Sequence, residues 1–257
     1  MVINLQDTVS VVAGSTAGVG RAIAEELAAH GSHVVVNGRT VDQGEQVVAD
    51  IEAAGGSASF QRADINDYDA VEAMMDVVVE NHGTIDVLIP NGAAASGPVP
   101  NFFADTPPAD YLDFAESMLA NRLYCIKAAL DALRDGGGRI VNISADSGRW
   151  PTPGEIGPGI SAAGMMMATK VLAAEFGRWD ISVNTVSISV TEETPAMDWV
   201  LEESPASSVF ESALDQQDFT VEAEDVAETV VFLAGADGAR PITGQLLSIN
   251  GGVSFPG

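Results

Sequence analysis

A glycine-rich segment near the N-terminus has the residue types and the spacing that bind a phosphate group. It follows an apolar run at Val9–Ala13 and reads Gly-Ser-Thr-Ala-Gly-Val-Gly from residue 14, directly before a helical pattern. Glycines let the chain turn tightly and let a pyrophosphate approach the backbone, and the amide groups at a helix start attract its charge. This context predicts a nucleotide-binding loop rather than a purely structural turn. The predicted contacts are Gly14, Ser15, Thr16, Gly18, Val19 and Gly20.

The end of the second predicted strand indicates which nucleotide binds. An acidic residue there would accept hydrogen bonds from both ribose hydroxyls of NAD and would repel a 2′-phosphate. This chain has Gly38 and Arg39 instead. A small residue beside a guanidinium suits the 2′-phosphate of NADP, so the sequence favours NADP as the cofactor, with NAD as the alternative. Arg39 could also serve only to cap a loop.

Apolar, β-rich runs alternate with helical patterns along the sequence, and these elements must position the loop. The runs are Val9–Ala13, His33–Asn37, Ala58–Arg62, Val87–Pro90, Arg139–Ser144, Ser182–Ser187 and Gln245–Ile249. Such alternation predicts an α/β fold with a parallel sheet and helices on both faces. The first helix is expected to begin at Arg21, with Val19, Ile23 and Leu27 facing the sheet. Because no linker or internal repeat divides the sequence, we expect one domain over residues 1–257.

The composition limits the partners that the protein can have. There are 37 acidic and 11 basic residues, and the formal net charge is −26. Nucleic acid requires a basic face and is therefore excluded as a partner. The acidity fits either adaptation to high salt or a lineage-wide compositional bias.

The same sequence shows no sign of a membrane or metal site. Its uninterrupted apolar stretches are far shorter than the roughly 20 residues of a membrane span, and the N-terminus lacks a signal-peptide pattern. We therefore expect a cytoplasmic protein that does not enter a membrane. No pair of histidines or cysteines suggests a metal site.

Further segments extend the pattern to the C-terminus. Asp64-Ile65 follows the third predicted strand, Pro90-Asn91-Gly92-Ala93 follows the fourth, Asn121 lies on the helix before the fifth, and Asn250-Gly251-Gly252 lies near the end. Together with the glycine-rich loop, these segments resemble the short-chain dehydrogenase/reductase family. The resemblance implies a Rossmann-type doubly wound fold and cofactor contacts from Asp64, Ile65, Asn91 and Gly92. It also implies a small-molecule substrate and a homodimer or homotetramer, formed through the long helix after the active site and the helix before it.

The positions that carry the catalytic residues in the family hold other residue types in this chain. In the family, a serine at the end of the fifth strand polarises the substrate oxygen. A tyrosine thirteen residues later exchanges the proton, and a lysine four residues further lowers the pKa of that tyrosine. Two independent alignments, over Gly138–Ile143 and over Ala168–Glu175, assign Ala145, Pro158 and Ala162 to these three positions. All three tyrosines of the chain precede the fifth strand, so the sequence contains no Tyr-x-x-x-Lys motif.

Other polar residues are candidates for the missing acid and base. Asn121 stands where the helix-borne active-site asparagine of the family is expected, and Ser147 and Glu155 occupy stretches that border the substrate in the family fold. The carboxyl group of Glu155 or Asp146 could act as an acid if burial raised its pKa. The alternative for both carboxylates is a solvated loop position.

Three functions remain open on these residues. The first is an NADP(H)-dependent oxidoreductase that acts on a small carbonyl or alcohol through a substitute proton donor. The second is a non-redox enzyme on the same scaffold, such as a lyase, isomerase or hydrolase, and it fits the joint loss of serine, tyrosine and lysine. The third is a non-catalytic subunit in which the nucleotide supports folding or sensing.

Overall fold

A seven-stranded parallel sheet forms the centre of the computed structural model, which describes residues 3–92 and 98–255. The strands are β1 (Val9–Ala13), β2 (His33–Gly38), β3 (Ser57–Arg62), β4 (Val87–Pro90), β5 (Gly138–Ala145), β6 (Ile181–Ile188) and β7 (Leu246–Ile249). Their spatial order is β3-β2-β1-β4-β5-β6-β7, and all six strand pairings are parallel. The predicted parallel sheet is confirmed, and every strand lies within one residue of its predicted run.

Helices cover both faces of the sheet. In the described ranges the α-helices are α1 (Gly18–Ala29), α2 (Val41–Ala53), α3 (Tyr68–His82), α4 (Asp110–Ala115), α5 (Asn121–Gly136), α6 (Ile156–Phe176), α7 (Pro195–Glu203), α8 (Ser207–Asp215) and α9 (Ala223–Gly235). Helices α1, α2 and α9 pack on one face, and α3, α5 and α6 pack on the other. The predicted doubly wound, single-domain α/β fold is thereby confirmed.

The alternation of side chains along the strands produces these two layers of core. Val12 points to the layer that contains Ile23 and Leu27 of α1, whereas its neighbour Val11 points to the layer that contains Met165 of α6. Successive strand residues face opposite sides of a sheet, so a run of valines fills both layers. Ile23 and Leu27 are fully buried, and each such side chain contributes roughly 1.5–3 kcal/mol through removal from water.

The start of α1 differs from the prediction. The helix begins at Gly18, three residues before the predicted Arg21, and the amide of Arg21 already donates to the carbonyl of Ala17. Gly18 has a φ of +53°, which glycine adopts without the steric cost that other residues pay. The last two glycines of the loop are therefore part of the first helical turn.

Helix α6 is longer and more apolar than the sequence analysis recognised. The stretch Ile156–Trp179 has 24 residues and a mean hydropathy of 1.2 over its most apolar window, which would suffice by length and composition for a membrane span. Half of that window is buried inside the protein, and Met165 and Phe176 belong to the core beneath the sheet. The helix is therefore a core element rather than a membrane span.

Candidate active site

A cleft of about 440 Å³ opens at the carboxyl ends of the strands, where the strand order reverses between β1 and β4. In open α/β sheets, ligands bind at this reversal. Helices α7 and α8 pack against each other beside the cleft through a small apolar cluster that includes Val190, Met197 and Phe210. Met197 and Phe210 also line the cleft, so this helix pair forms one of its walls.

The glycine-rich loop lies in the cleft with a backbone that only glycine can provide. Gly14 has a φ of +62°, and a Cβ atom there would lie 2.8 Å from the Cα of Gly92. A Cβ atom on Gly20 would lie 2.2 Å from the carbonyl oxygen of Gly14 and 2.4 Å from the side-chain nitrogen of Asn91. The loop is thus packed too tightly for any side chain at these positions. Asn91 Nδ2 also donates to the Gly14 carbonyl over 3.0 Å and fixes the loop to the end of β4.

The start of α1 leaves amide groups available to an anion. Its N-cap residue, Ala17, has no side chain that can accept a hydrogen bond, and the first amide that bonds back to Ala17 is that of Arg21. The amides of Gly18, Val19 and Gly20 therefore lack intrahelical acceptors, and all three residues line the cleft. Free amides at the positive end of a helix suit a pyrophosphate. The residues present thus fit the nucleotide cofactor that the sequence predicts.

Ser15 does not contribute to the cleft, in contrast to the prediction. Its hydroxyl is buried and donates to the carbonyl of Val12 over 2.6 Å, and its amide donates to the carbonyl of Asn37. Asn37, which the sequence analysis missed, accepts from the amide of Gly14 through Oδ1 over 3.1 Å. Because both polar groups of Ser15 are already bonded, it holds the loop on β2 instead of facing a ligand.

All but one of the residues that the sequence predicts at the adenosine end of the site are described by the structure and line the cleft. Thr16, Gly38, Arg39, Asp64, Ile65, Asn91 and Gly92 all line the cleft. A Cβ atom on Gly38 would lie 2.4 Å from the methyl group of Thr16, which explains the small residue at the end of β2. Arg39 is exposed, and Arg62 donates through Nε to the Arg39 carbonyl over 3.0 Å. Two guanidinium groups therefore lie beside this end. Ala93, the last residue of the segment predicted after β4, lies outside the described residues.

The three positions assigned to the family's serine, tyrosine and lysine all line the cleft. Ala145 lies at the end of β5, and Pro158 and Ala162 lie one helical turn apart near the start of α6. Pro158 belongs to the first turn of α6. No tyrosine lines the cleft within the described ranges, and Tyr124 packs edge to face on Tyr68 instead.

Glu155 is the one predicted acid that lines the cleft. It is the N-cap residue of α6, three residues before Pro158, and its side chain is partly buried. Burial raises the pKa of Glu155 to about 7, and the nearby Ser147 hydroxyl lowers it by a smaller amount. Ser147 itself does not line the cleft, and its buried hydroxyl makes no well-formed hydrogen bond to the described residues. A carboxyl group that is half protonated near neutral pH can both donate and accept a proton.

Asp146 has a structural role, and it is not among the cleft-lining residues. Asp146 is 2% exposed. Its carboxylate accepts hydrogen bonds from Ser248, Asn250 and Ser254 over 2.7–3.0 Å. Arg149 lies 3.6 Å away. These hydrogen bonds connect the end of β5 to the C-terminal segment. Asp146 is therefore no longer a candidate for the catalytic acid.

Asn121 is also fully buried and lies outside the cleft lining. It follows a π-helical turn at Glu116–Ala120, and its side chain donates to the carbonyls of Ser117 and Gly92. The two hydrogen bonds connect the π-helical turn to the segment that follows β4. The role of the Asn121 side chain toward a substrate stays a prediction.

Arg122 is a cleft residue that the sequence analysis missed. It is 5% exposed and lines the cleft together with Ser144 and Ala145. Its Nε donates to the carbonyl of Ile143 over 3.0 Å, and its Nη1 donates to that of Met118 over 2.6 Å. Burial lowers its pKa to about 10, which leaves it positively charged at neutral pH. The only signal in the sequence is an arginine between Asn121 and an apolar helical stretch, and that signal does not distinguish a buried arginine from an exposed one.

The fold, the loop at the strand-order reversal and the cleft together define a nucleotide-binding α/β oxidoreductase scaffold. A family model described as enoyl-(acyl carrier protein) reductase matches residues 13–254. The chain belongs to the short-chain dehydrogenase/reductase family.

Individual relatives are similar to this chain over almost its whole length. The chain is 32% identical over 248 residues to the 3-oxoacyl-(acyl-carrier-protein) reductase FabG of Staphylococcus aureus, covering 95% of this chain and 97% of that protein. It is 29% identical over 269 residues to a 3beta-hydroxysteroid dehydrogenase of Mediterraneibacter gnavus, covering 96% and 94%. A crystal structure of a dehydrogenase/reductase from Sinorhizobium meliloti 1021 matches with a TM-score of 0.85 and 30% identity, covering 98% and 97% of the two chains.

Proposed function

We propose that the protein is an NADP(H)-dependent oxidoreductase that interconverts a small carbonyl compound and its alcohol, with Glu155 as the proton donor and acceptor. The observation that carries this proposal is the position of Glu155 in the cleft, one turn before Pro158, with a pKa of about 7. General acid–base catalysis is most effective when the pKa of the catalytic group lies near the working pH. Glu155 would thus take over the proton exchange for which the family uses a tyrosine.

The residues of this chain divide the work between the two ends of the cleft. The amides of Gly18, Val19 and Gly20 would hold the pyrophosphate. A bound nicotinamide would supply or accept the hydride. In the reducing direction the protonated Glu155 gives its proton to the carbonyl oxygen, and in the oxidising direction the carboxylate takes the hydroxyl proton. The hydroxyl of Ser144, which lines the cleft beside Ala145, can donate a hydrogen bond to the same oxygen.

Two arginines support NADP over NAD. Arg39 lines the cleft where an acidic residue would select NAD, and Arg62 is bonded to its carbonyl. A 2′-phosphate carries two negative charges that guanidinium groups bind in a forked geometry. The chain has a net charge of −26, so two neighbouring arginines at this end form a local positive charge on an otherwise acidic protein. NAD stays the alternative.

The outer surface of α6 supports a homodimer or homotetramer. Ile160 is 58% exposed, Met167 is 61% exposed and Val171 is 47% exposed. These three residues follow a helical spacing and form an apolar stripe on the side of α6 that does not face the sheet. We propose that a second copy of the chain covers this stripe, and that the assembly is cytoplasmic.

The decisive experiment measures NADPH binding and turnover separately. Calorimetric titration with NADPH and NADH tests the nucleotide end, and absorbance at the reduced-nicotinamide band with a panel of carbonyl compounds tests the chemistry. We expect tighter binding of NADPH and carbonyl reduction that Glu155→Gln abolishes. Binding without turnover of any carbonyl compound would contradict the proposal and would favour the non-catalytic subunit. Product formation without any change in the nicotinamide would favour a lyase, isomerase or hydrolase.

A further inference from the structure

Arg122 is a charge that the proposed proton exchange does not use. It is one of two cationic residues among those that line the cleft, and the other, Arg39, lies at the opposite, adenosine end. None of the ion pairs between described residues includes Arg122. Its hydrogen-bond partners are two backbone carbonyls and the side-chain oxygen of Asn121, which are all neutral. A buried guanidinium without a carboxylate therefore lies at the substrate end.

Such an arrangement is costly unless a negative group is bound. Transfer of a charge from water into a protein interior is unfavourable, and neutral acceptors offset only part of the loss. Burial lowers the pKa of Arg122, but an arginine remains protonated at neutral pH. The cleft therefore keeps a fixed positive charge close to Ala145 and Ser144.

A purely structural role explains only part of the geometry. Nε and Nη1 hold the carbonyls of Ile143 and Met118 and so join β5 to the π-helical turn before α5. None of the hydrogen bonds between described residues involves Nη2, and this atom is not among the fully enclosed polar atoms that lack a partner. Arg139 offers a comparison, because it also donates to backbone carbonyls but lies outside the cleft lining, beside Asp180.

We propose that Arg122 forms an anion subsite at the substrate end of the cleft and binds a negatively charged oxygen of the substrate. The oxygen has two possible sources, a carboxylate carried by the substrate and the carbonyl oxygen that becomes negative during reduction. A guanidinium held by two carbonyls is already oriented, so it presents its remaining N–H groups to such an oxygen without further loss of side-chain entropy. The inference rests on the proposed function for the identity of the reacting cleft, but anion binding does not require turnover.

The test uses two carbonyl compounds of nearly equal shape, acetoacetate and the neutral acetoacetamide. Binding to the full-length protein is followed by ligand-observed NMR, with and without NADP, and turnover is followed with NADPH. The variants are Arg122→Gln, Arg122→Lys and the matched control Arg139→Gln. We expect the wild type and Arg139→Gln to bind acetoacetate roughly tenfold or more tightly than the amide, as a charge-assisted contact gives. Arg122→Gln should lose this preference, and Arg122→Lys should keep part of it, since a point charge remains.

The turnover data distinguish the two sources of negative charge. If Arg122→Gln raises KM for acetoacetate alone, the subsite binds a substrate carboxylate. If Arg122→Gln lowers kcat for both compounds while their binding is unchanged, the subsite stabilises the developing oxyanion. If the wild type shows no preference in binding, and Arg122→Gln neither raises KM nor lowers kcat more than Arg139→Gln does, the inference is wrong.

Two other outcomes of the experiment also have a defined meaning. If Arg122→Gln does not fold because its two carbonyls lose their donor, the comparison of wild type with Arg122→Lys carries the test. If no compound is reduced but acetoacetate binds through Arg122, the anion subsite stands and the proposed redox function fails.

Discussion

Replacement of Glu155 by glutamine should make the protein more stable at alkaline pH, although it removes the proposed catalytic acid. The pKa of Glu155 is raised from the ordinary 4.5 to about 7 in the folded protein. Between these two pH values the folded state binds more protons than the unfolded state, so stability decreases as the pH rises. The contribution is fully present below pH 4.5 and is lost above about pH 7.

The size of the effect follows from the same two values. One pH unit of difference in pKa corresponds to about 1.4 kcal/mol, so the raised pKa of Glu155 corresponds to roughly 2–3 kcal/mol once the partial exposure of the side chain is discounted. Glutamine has nearly the same shape and no charge to desolvate. We expect Glu155→Gln to exceed the wild type in unfolding free energy by roughly this amount near pH 8, and by less than about 1 kcal/mol near pH 5.

Urea unfolding of both proteins at the two pH values, at one fixed ionic strength, measures the difference directly. Comparison of variant and wild type cancels the titration of the other acidic residues. Glu175→Gln, an exposed change on the same helix, is the matched control and should leave the difference between the two pH values unchanged. An equal gap between Glu155→Gln and wild type at both pH values, or a less stable variant near pH 8, would refute the assignment of a desolvated carboxyl.

Four other outcomes are expected. In the reducing direction, kcat/KM should fall above about pH 7, because Glu155 must be protonated to donate; a profile that is flat across neutral pH would exclude it as the acid. Gly20→Ala should lower stability by about 1–3 kcal/mol and weaken NADP binding in calorimetry, whereas Gly177→Ala, which meets no atom within 4 Å, should do neither. Arg39→Glu should reverse the preference from NADPH to NADH in calorimetric titrations, and an unchanged ratio would show that Arg39 caps a loop. Asp146→Asn should lower the unfolding free energy by about 2–4 kcal/mol through its buried hydrogen bonds, with the NADP affinity of the folded protein unchanged.

The sequence predicted some positions of the candidate site correctly and misjudged others. The positions of Ala145, Pro158 and Ala162 followed from two alignments that agreed in spacing, and the structure places all three in the cleft. Ser15 and Asp146 were misjudged because sequence position does not show which way a side chain points. Both are turned toward acceptors or donors of neighbouring strands and loops.

The burial of Glu155 could not be derived from the residues around it. In the sequence it lies in a loop rich in proline and glycine, where a solvated carboxylate is the simplest interpretation. In the structure, Gly154 lies against Ala206, which is between α7 and α8, and Gly157 lies against the ring of Phe114. Segments about 40 residues earlier and about 50 residues later in the sequence therefore close the site around the carboxyl group and raise its pKa.

The sequence by itself determined the sheet and the nucleotide loop, because both depend on local patterns. Alternating runs of valine define strands through the period of two. Glycines 14, 18 and 20 define a turn in which other residues would clash, at 14 and 20, or be strained by a positive φ, at 14 and 18. Only the tertiary structure decided which polar side chains are desolvated, because desolvation depends on which distant segments exclude water. It distinguished Glu155, with a pKa raised by burial, from Asp146, and it placed Arg122, in the first turn of α5, at the cleft.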